Sequence, residues 1–433
     1  MHDPLNPFDL VADELAQLRE TGHDVGTLAT EFEATDPSDC AALERILASL
    51  SSVRRDPGWQ YEEPDAWGDI LDSLPPAGES EPRDLADQVL GGWLGRISGN
   101  NVGKPVEQGD HWTVEHIRDY LERADAYPLR DYVPLLDPMP PEFELRENWP
   151  FTLKGLIDGA ARDDDIDYAI LALHLMEKHG PGLQTGDVAA AWLSLLPYWQ
   201  VYTAERAAYT NLVHAVPIAE VATTRNPYRE WIGALIRGDA FGWAHPGRPR
   251  AAMALAYQDA ALSHVGNGIY GELWAAALQS EAFSAATVRE AFDASLQHVP
   301  PRSRLAEALR DVAGWHDAGA AWDDTIDRIR EKYGHYSWVH TVNNAAIIAA
   351  GLLWGEDDLA TTVGLTVMGG WDTDSNAATA GAAVGVVVGA RALPPHLVDP
   401  LRDSTRSALF GFDYSRISDL ASRTTLLATR TSR

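Results

Sequence analysis

Asp163, Asp164, Asp165 and Asp167 stand at the head of an apolar run, AILALHLM, that reads as a helix. The helix macrodipole favours negative charge at such a start, but it does not account for three adjacent carboxylates that repel one another. Hard divalent cations take oxygen ligands and would relieve that repulsion. A solvated helix start is the plainer alternative for this cluster by itself. A second acidic turn, Gly369-Gly370-Trp371-Asp372-Thr373-Asp374-Ser375-Asn376, runs into AATAGAAVGVVVGA, a helix of small residues suited to burial. An unpaired carboxylate at the mouth of a buried helix is costly, so Asp372 and Asp374 call for a metal or an arginine. An N-cap role accounts for only one of the two.

Two other segments combine polar groups with glycine. In Gly99-Asn100-Asn101-Val102-Gly103-Lys104-Pro105-Val106-Glu107 the glycines end a helix and turn the chain, and Pro105 stiffens the exit. Glu107 is left on a defined loop, either as a metal ligand, base or acid, or simply as an exposed carboxylate. The segment from Ser263 to Glu272, SHVGNGIYGE, reads as a turn between helices where backbone N–H groups could meet a diphosphate. His264 in it is either a ligand contact or a hydrogen-bonded structural histidine.

The elements that must position these groups are helical. Leu85, Val89, Trp93, Leu94 and Ile97 form a stripe at helical spacing, and Gly92, Gly95 and Gly99 lie along one side, where another backbone could approach. Apolar periodicity predicts further helices over 167–179, 187–196, 202–214, 251–263, 273–285 and 304–318. Alternating runs of β-branched residues are scarce, so the fold class is all-α. Val11, Leu15 and Leu18 share one face and Leu43, Ile46, Leu47 and Leu50 another, which predicts a helical appendage over 1–58. The Pro-, Gly- and acid-rich stretch from Asp56 to Arg83 reads as a surface-wrapping link into the main body, 59–433.

Taken in order, GGWLGRISG with its GKPVE turn, the DD pair opening a helix, the GNG turn and the GG-W-DTD-S turn resemble the ADP-ribosylglycohydrolase family. That family includes the dinitrogenase reductase-activating glycohydrolases. The likeness spans about 84–426, and Tyr61–Pro64 and Tyr127–Pro134 look like one branch of it. The resemblance implies a compact orthogonal helical bundle with a central cleft holding two divalent cations, Mg²⁺ or Mn²⁺. It implies Asp163, Asp164 and Asp165 on one side and Asp372, Asp374 and Ser375 on the other as ligands. It implies Glu107 and Asp165 as catalytic residues, and Asn100, His264, Gly266, Asn267 and Gly268 as substrate contacts. The implied reaction is hydrolysis at the anomeric carbon of an ADP-ribosyl or related ribosyl group, free or carried on a protein. The chain departs from the pattern at Asn100, where the family has aspartate, at Asp163 and Ser375, where threonine is usual, and at the inserted Trp371. Oxygen ligands survive these exchanges. Hydrolysis of a small nucleoside or nucleotide N-riboside, and binding of ADP-ribose without cleavage, remain alternatives; loss of Glu107 would favour the second, and Glu107 is present.

Composition narrows the partners. A net charge of −30 over 433 residues disfavours nucleic-acid backbones and anionic membranes. The single cysteine, Cys40, forms no internal disulfide and fits a reducing compartment. The acidic start lacks the pattern of a signal peptide, and Ser375–Ala390 is too short and too rich in glycine and alanine to span a bilayer. The expectation is a cytoplasmic protein.

Overall fold

The computed structural model describes residues 5–109 and 111–431. It contains 21 α-helices linked by short 3₁₀ turns, with isolated bridges and no strand among the described residues. The fold is all-α. Side-chain caps set several helix starts: Asp39 accepts from Ala42 N–H, Ser303 from Ala306 N–H and Asp358 from Thr361 N–H. Most predicted helices begin within three residues of their expected positions, as in Thr203–Val213 and Arg304–Asp317. The exception is the helix expected from residue 273, which starts at Gly266 and runs to Ala282.

One helix pair organises the interior. Leu85–Gly103 and Thr373–Val388 pack antiparallel with their backbones in direct contact. A Cβ placed on Gly91 would lie 2.0 Å from the Gly385 carbonyl oxygen, and one on Gly95 would lie 2.1 Å from that of Gly381. On Gly99 it would lie 2.0 Å from the Ala377 oxygen, and on Gly103 2.4 Å from that of Thr373. Each step of four residues along one helix thus matches four residues back along the other. The seam uses Gly91 and Gly103 with Gly95 and Gly99. Gly92, which the sequence placed on this side, faces Trp243 and Val386 instead. At one end of the seam the Thr373 hydroxyl donates to the Gly103 carbonyl at 2.9 Å. The pairing therefore delivers the Lys104–Glu107 turn to the Asp372–Asp374 turn.

Helices Gly266–Ala282 and Thr341–Trp354 are buried on nearly all sides around this pair. The first three helices, Pro7–Glu20, Gly26–Glu33 and Cys40–Leu50, close on their own cluster of Val11, Leu15, Leu18, Leu43, Ile46 and Leu50. They dock through polar contacts: Glu14 pairs with Arg229 at 2.6 Å, and Gln17 donates to Glu230 at 2.8 Å. The 56–83 link contains a helix, Trp67–Ser73, and it is not confined to the surface. Its Glu63 is buried against Arg304 at 2.9 Å.

Candidate metal centre

The two acidic turns meet. Carboxylate oxygens of Asp163, Asp165 and Asp374 lie within 4.8 Å of one another, and so do those of Glu107, Asp372 and Asp374. Asp374 belongs to both groups. Asp163 is the N-cap of Asp164–His179 and accepts the Asp165 N–H at 3.1 Å, which turns Asp165 inward. Asp372 occupies the same cap position on Thr373–Val388, so both helices aim their N-terminal ends at the cluster. Trp371, at φ 61°, supplies the sharp entry to the second turn.

Residues that sequence reasoning missed hold these acids in place. The Lys104 ammonium sits 2.6 Å from Asp163, 2.8 Å from Asp374 and 2.8 Å from Glu107. Arg96, fully buried, donates to the Asp165 carbonyl at 2.8 Å, lies 3.3 Å from its carboxylate and pairs with Asp239 at 2.6 Å. Asn344 accepts from Asp372 N–H at 3.2 Å and from the Asn376 amide at 2.7 Å. Of the residues singled out in the sequence, Asn100 donates to Asp165 Oδ2 at 2.9 Å and the Ser375 hydroxyl reaches the same atom at 3.3 Å. Asp167 is a structural tie: it accepts from the Ser407 hydroxyl at 2.6 Å and pairs with Arg162 at 2.8 Å.

Burial and crowding set the protonation of the cluster. Burial, then the neighbouring Asp374, pushes Glu107 up to about 7. Burial and Asp163 push Asp164 up to about 8, and burial first of all raises Asp165 and Asp372 well above the carboxylate range. Asp163 goes the other way: burial would raise it, but the Lys104 ammonium holds it down at about 2. Asp374 Oδ1 is buried without a hydrogen-bond partner. An all-oxygen donor set carrying excess negative charge and an unpartnered buried oxygen fits a hard divalent cation.

Cation binding should then compete with protons. A carboxyl with a raised pKa is neutral below that value, and only its ionised form is a good ligand. The apparent affinity for Mg²⁺ should therefore climb as pH rises from 6 to 8, with proton release measurable by calorimetry in buffers of different ionisation enthalpy. An affinity flat across that range would contradict the ligand assignment.

The GNG segment is not an open turn. Gly266, Asn267 and Gly268 form the buried first turn of a helix. The donors expected to meet phosphate are taken: Gly266 N–H by Asp65 at 2.7 Å, Asn267 N–H by Glu230 at 3.0 Å and Gly268 N–H by the Val265 carbonyl. Two carboxylates thus stand where the sequence placed a diphosphate, and Arg304 pairs with one of them, 2.5 Å from Glu230. The Asn267 amide bonds Glu63 at 2.8 Å and Glu230 at 3.0 Å. His264 is 1% exposed and contacts the Ser263 hydroxyl at 2.8 Å. Burial and the nearby Arg237 press its pKa well below the usual range, so it is neutral. Tyr270 is core, its hydroxyl donating to the Pro64 carbonyl at 2.6 Å, and Trp371 lies under the Arg330 guanidinium at 5.2 Å.

A model of the ADP-ribosylglycohydrolase family matches residues 81–433. No curated protein matches the chain. A solved structure described as "ADP-ribosylglycohydrolase-related protein complex" aligns at 17% identity and TM-score 0.48, over 81% of this chain and 100% of that one.

Proposed function

The chain belongs to the ADP-ribosylglycohydrolase family, and from that premise we propose that it is a metal-dependent hydrolase cleaving at the anomeric carbon of an ADP-ribosyl or related ribosyl group. The observation that carries the metal part is the pair of carboxylate groups sharing Asp374. Asp163, Asp165 and Asp374, with Asp164 and Ser375 beside them, would hold one divalent cation, and Glu107, Asp372 and Asp374 a second. Such cations supply polarisation of a water and stabilisation of charge developing at the sugar carbon.

The chain's own groups define the rest. Glu107 stands at the solvent edge with a pKa about 7, so it can exchange a proton near neutrality as general acid or base. Lys104 and Arg146, 2.8 Å and 3.3 Å from it, fix its position and limit that shift. Asn100 and Arg96 orient Asp165. Arg146, 40% exposed, offers a cationic edge for the phosphates of an ADP-ribosyl group. That edge takes over the role the sequence reading gave to Gly266–Gly268. No helix among the described residues is long and apolar enough to cross a membrane.

Glu107→Gln tests the assignment. It keeps the size of the side chain and removes the titrating proton, so turnover should fall by ~10²-fold or more while the metal-free melting temperature holds. Assays on ADP-ribosylated peptide, free nucleotides and N-ribosides, each with Mg²⁺, Mn²⁺ or EDTA, identify the leaving group. Cleavage that persists in EDTA would exclude the metal role. Binding of ADP-ribose with no cleavage of any ribosyl compound would leave a recognition module.

Metal addition should also show in stability, because a ligand of the folded state raises the melting temperature by mass action. Mg²⁺ at 100 times its dissociation constant corresponds to about 2.7 kcal/mol. Differential scanning fluorimetry with and without EDTA measures it, and a melting curve insensitive to both additions would count against the site.

A further inference from the structure

The two carboxylate groups are not equivalent. In the Asp163–Asp165–Asp374 group every acid already has a donor or cation within the protein. Lys104 lies on Asp163 and Asp374, while Arg96, Asn100 and Ser375 serve Asp165. In the Glu107–Asp372–Asp374 group, Lys104 lies on Glu107 and Asp374 and Arg146 on Glu107, but Asp372 has no ion-pair partner among the described residues, and Asp374 Oδ1 is buried with no hydrogen-bond partner. The unmatched positions are Asp372 and the free oxygen of Asp374, both in the second group.

We propose that Lys104 is an internal cation holding the place of one divalent ion. The first ion then enters at Glu107, Asp372 and Asp374, and the second enters at Asp163, Asp165 and Asp374 only as the ammonium withdraws. This rests on reading the cluster as a cation site. Its geometry comes from three short contacts: the ammonium touches one acid exclusive to each group, Glu107 and Asp163, and the one acid common to both, Asp374. The side chain suits the task. An ammonium is a compact point charge on a flexible four-carbon stem, whereas a guanidinium would lock two carboxylates in a planar fork. Lys104 is 12% exposed, at the open edge of the cluster, so its head can swing outward without unpacking the glycine seam. Arg96 has no such freedom, because it is fully buried and tied to Asp239 and two backbone carbonyls. The mobile cation and the fixed one thus divide the work: Arg96 supports the fold around Asp165, and Lys104 yields to the incoming ion.

Titration of the full-length protein with Mn²⁺, followed by calorimetry and electron paramagnetic resonance, tests this apart from turnover. The wild type should load in two steps, with dissociation constants at least roughly tenfold apart, a scale set by groups that support metal ligands. Its spectrum should be mononuclear after the first equivalent and show a spin-coupled pair only at excess Mn²⁺. Lys104→Met should bring the coupled spectrum to lower Mn²⁺ by about the same factor, and Lys104→Arg, which retains the charge, should not. If the methionine variant does not fold, the wild-type titration decides alone. Two ions loading together with equal affinity, or a methionine variant that titrates like the wild type, would overturn the role of Lys104. A wild type that binds no Mn²⁺ gives no isotherm and overturns the cation site itself, a distinct result.

Discussion

Asp374→Asn should lower turnover by at least ~10²-fold, since groups that merely orient metal ligands already reach that scale. Asp374 is the only acid placed in both carboxylate groups, so its loss disables both together. The same change should not unfold the protein. The cluster holds more carboxyls than cations, burial penalises each charge, and an asparagine oxygen can still accept from Lys104. The metal-free variant should therefore melt at or above the wild-type temperature while losing its stabilisation by Mg²⁺. Activity and metal-free stability moving in opposite directions is the mark of charges kept for function at a cost to folding. Thermal melts with and without Mg²⁺, beside steady-state rates, measure all three quantities. A variant that melts far below the wild type in EDTA would show that Asp374 is there for the fold.

Gly95→Ala should be strongly destabilising. The new methyl would lie 2.1 Å from the Gly381 carbonyl oxygen, and the obstruction is backbone, so no rotamer change relieves it. Ordinary overpacking costs about 1–3 kcal/mol. Separating two helices in backbone contact goes beyond that and takes a large share of the 5–15 kcal/mol typical of a native protein. Gly314→Ala is the control: it lies in Arg304–Asp317 with nothing within 4 Å of the added methyl. There alanine should stabilise by roughly 0.5–1 kcal/mol through helix propensity. Chemical denaturation of the two variants checks the contrast, and equal effects would mean that the seam is looser than its geometry.

The meeting of the two acidic turns could be argued from sequence because each turn exceeds what a helix start needs. Three adjacent aspartates, and two more ahead of a buried helix, leave charge that neither segment neutralises. The helices were legible for the same local reason, since apolar spacing is written along the chain. What escaped is pairing across the fold. Lys104 was visible in one turn with Glu107, but nothing near it in sequence reveals the carboxylates of Asp163 and Asp374. Arg96, inside GGWLGRISG, looks like any polar interruption of an apolar helix, although it is fully buried. Asn344 had a signal that went unused: NN opens an otherwise apolar helix, TVNNAAIIAAGLLW, where two amides must find partners. In the GNG segment glycine marks close approach without saying of what. Gly266 does take φ 48°, but its neighbours are the carboxylates of Asp65 and Glu230.

The four-residue repeat of the glycine seam governs which length changes the chain can absorb. A four-residue step covers little more than one helical turn of 3.6 residues, so glycines recur on nearly the same line. Inserting or deleting one residue between Gly91 and Gly103 would rotate everything beyond it by about 100° and carry Lys104 and Glu107 off the cluster. A slip of a whole step would bring glycine against glycine again over part of the length. Along its middle the seam therefore sets orientation and leaves the axial position ambiguous by one repeat. The hydroxyl of Thr373 on the Gly103 carbonyl selects among these nearly equivalent alignments. Length changes beyond Glu107 lie outside that constraint, because only the paired helices carry the phase that brings the Lys104–Glu107 turn to the Asp372–Asp374 turn.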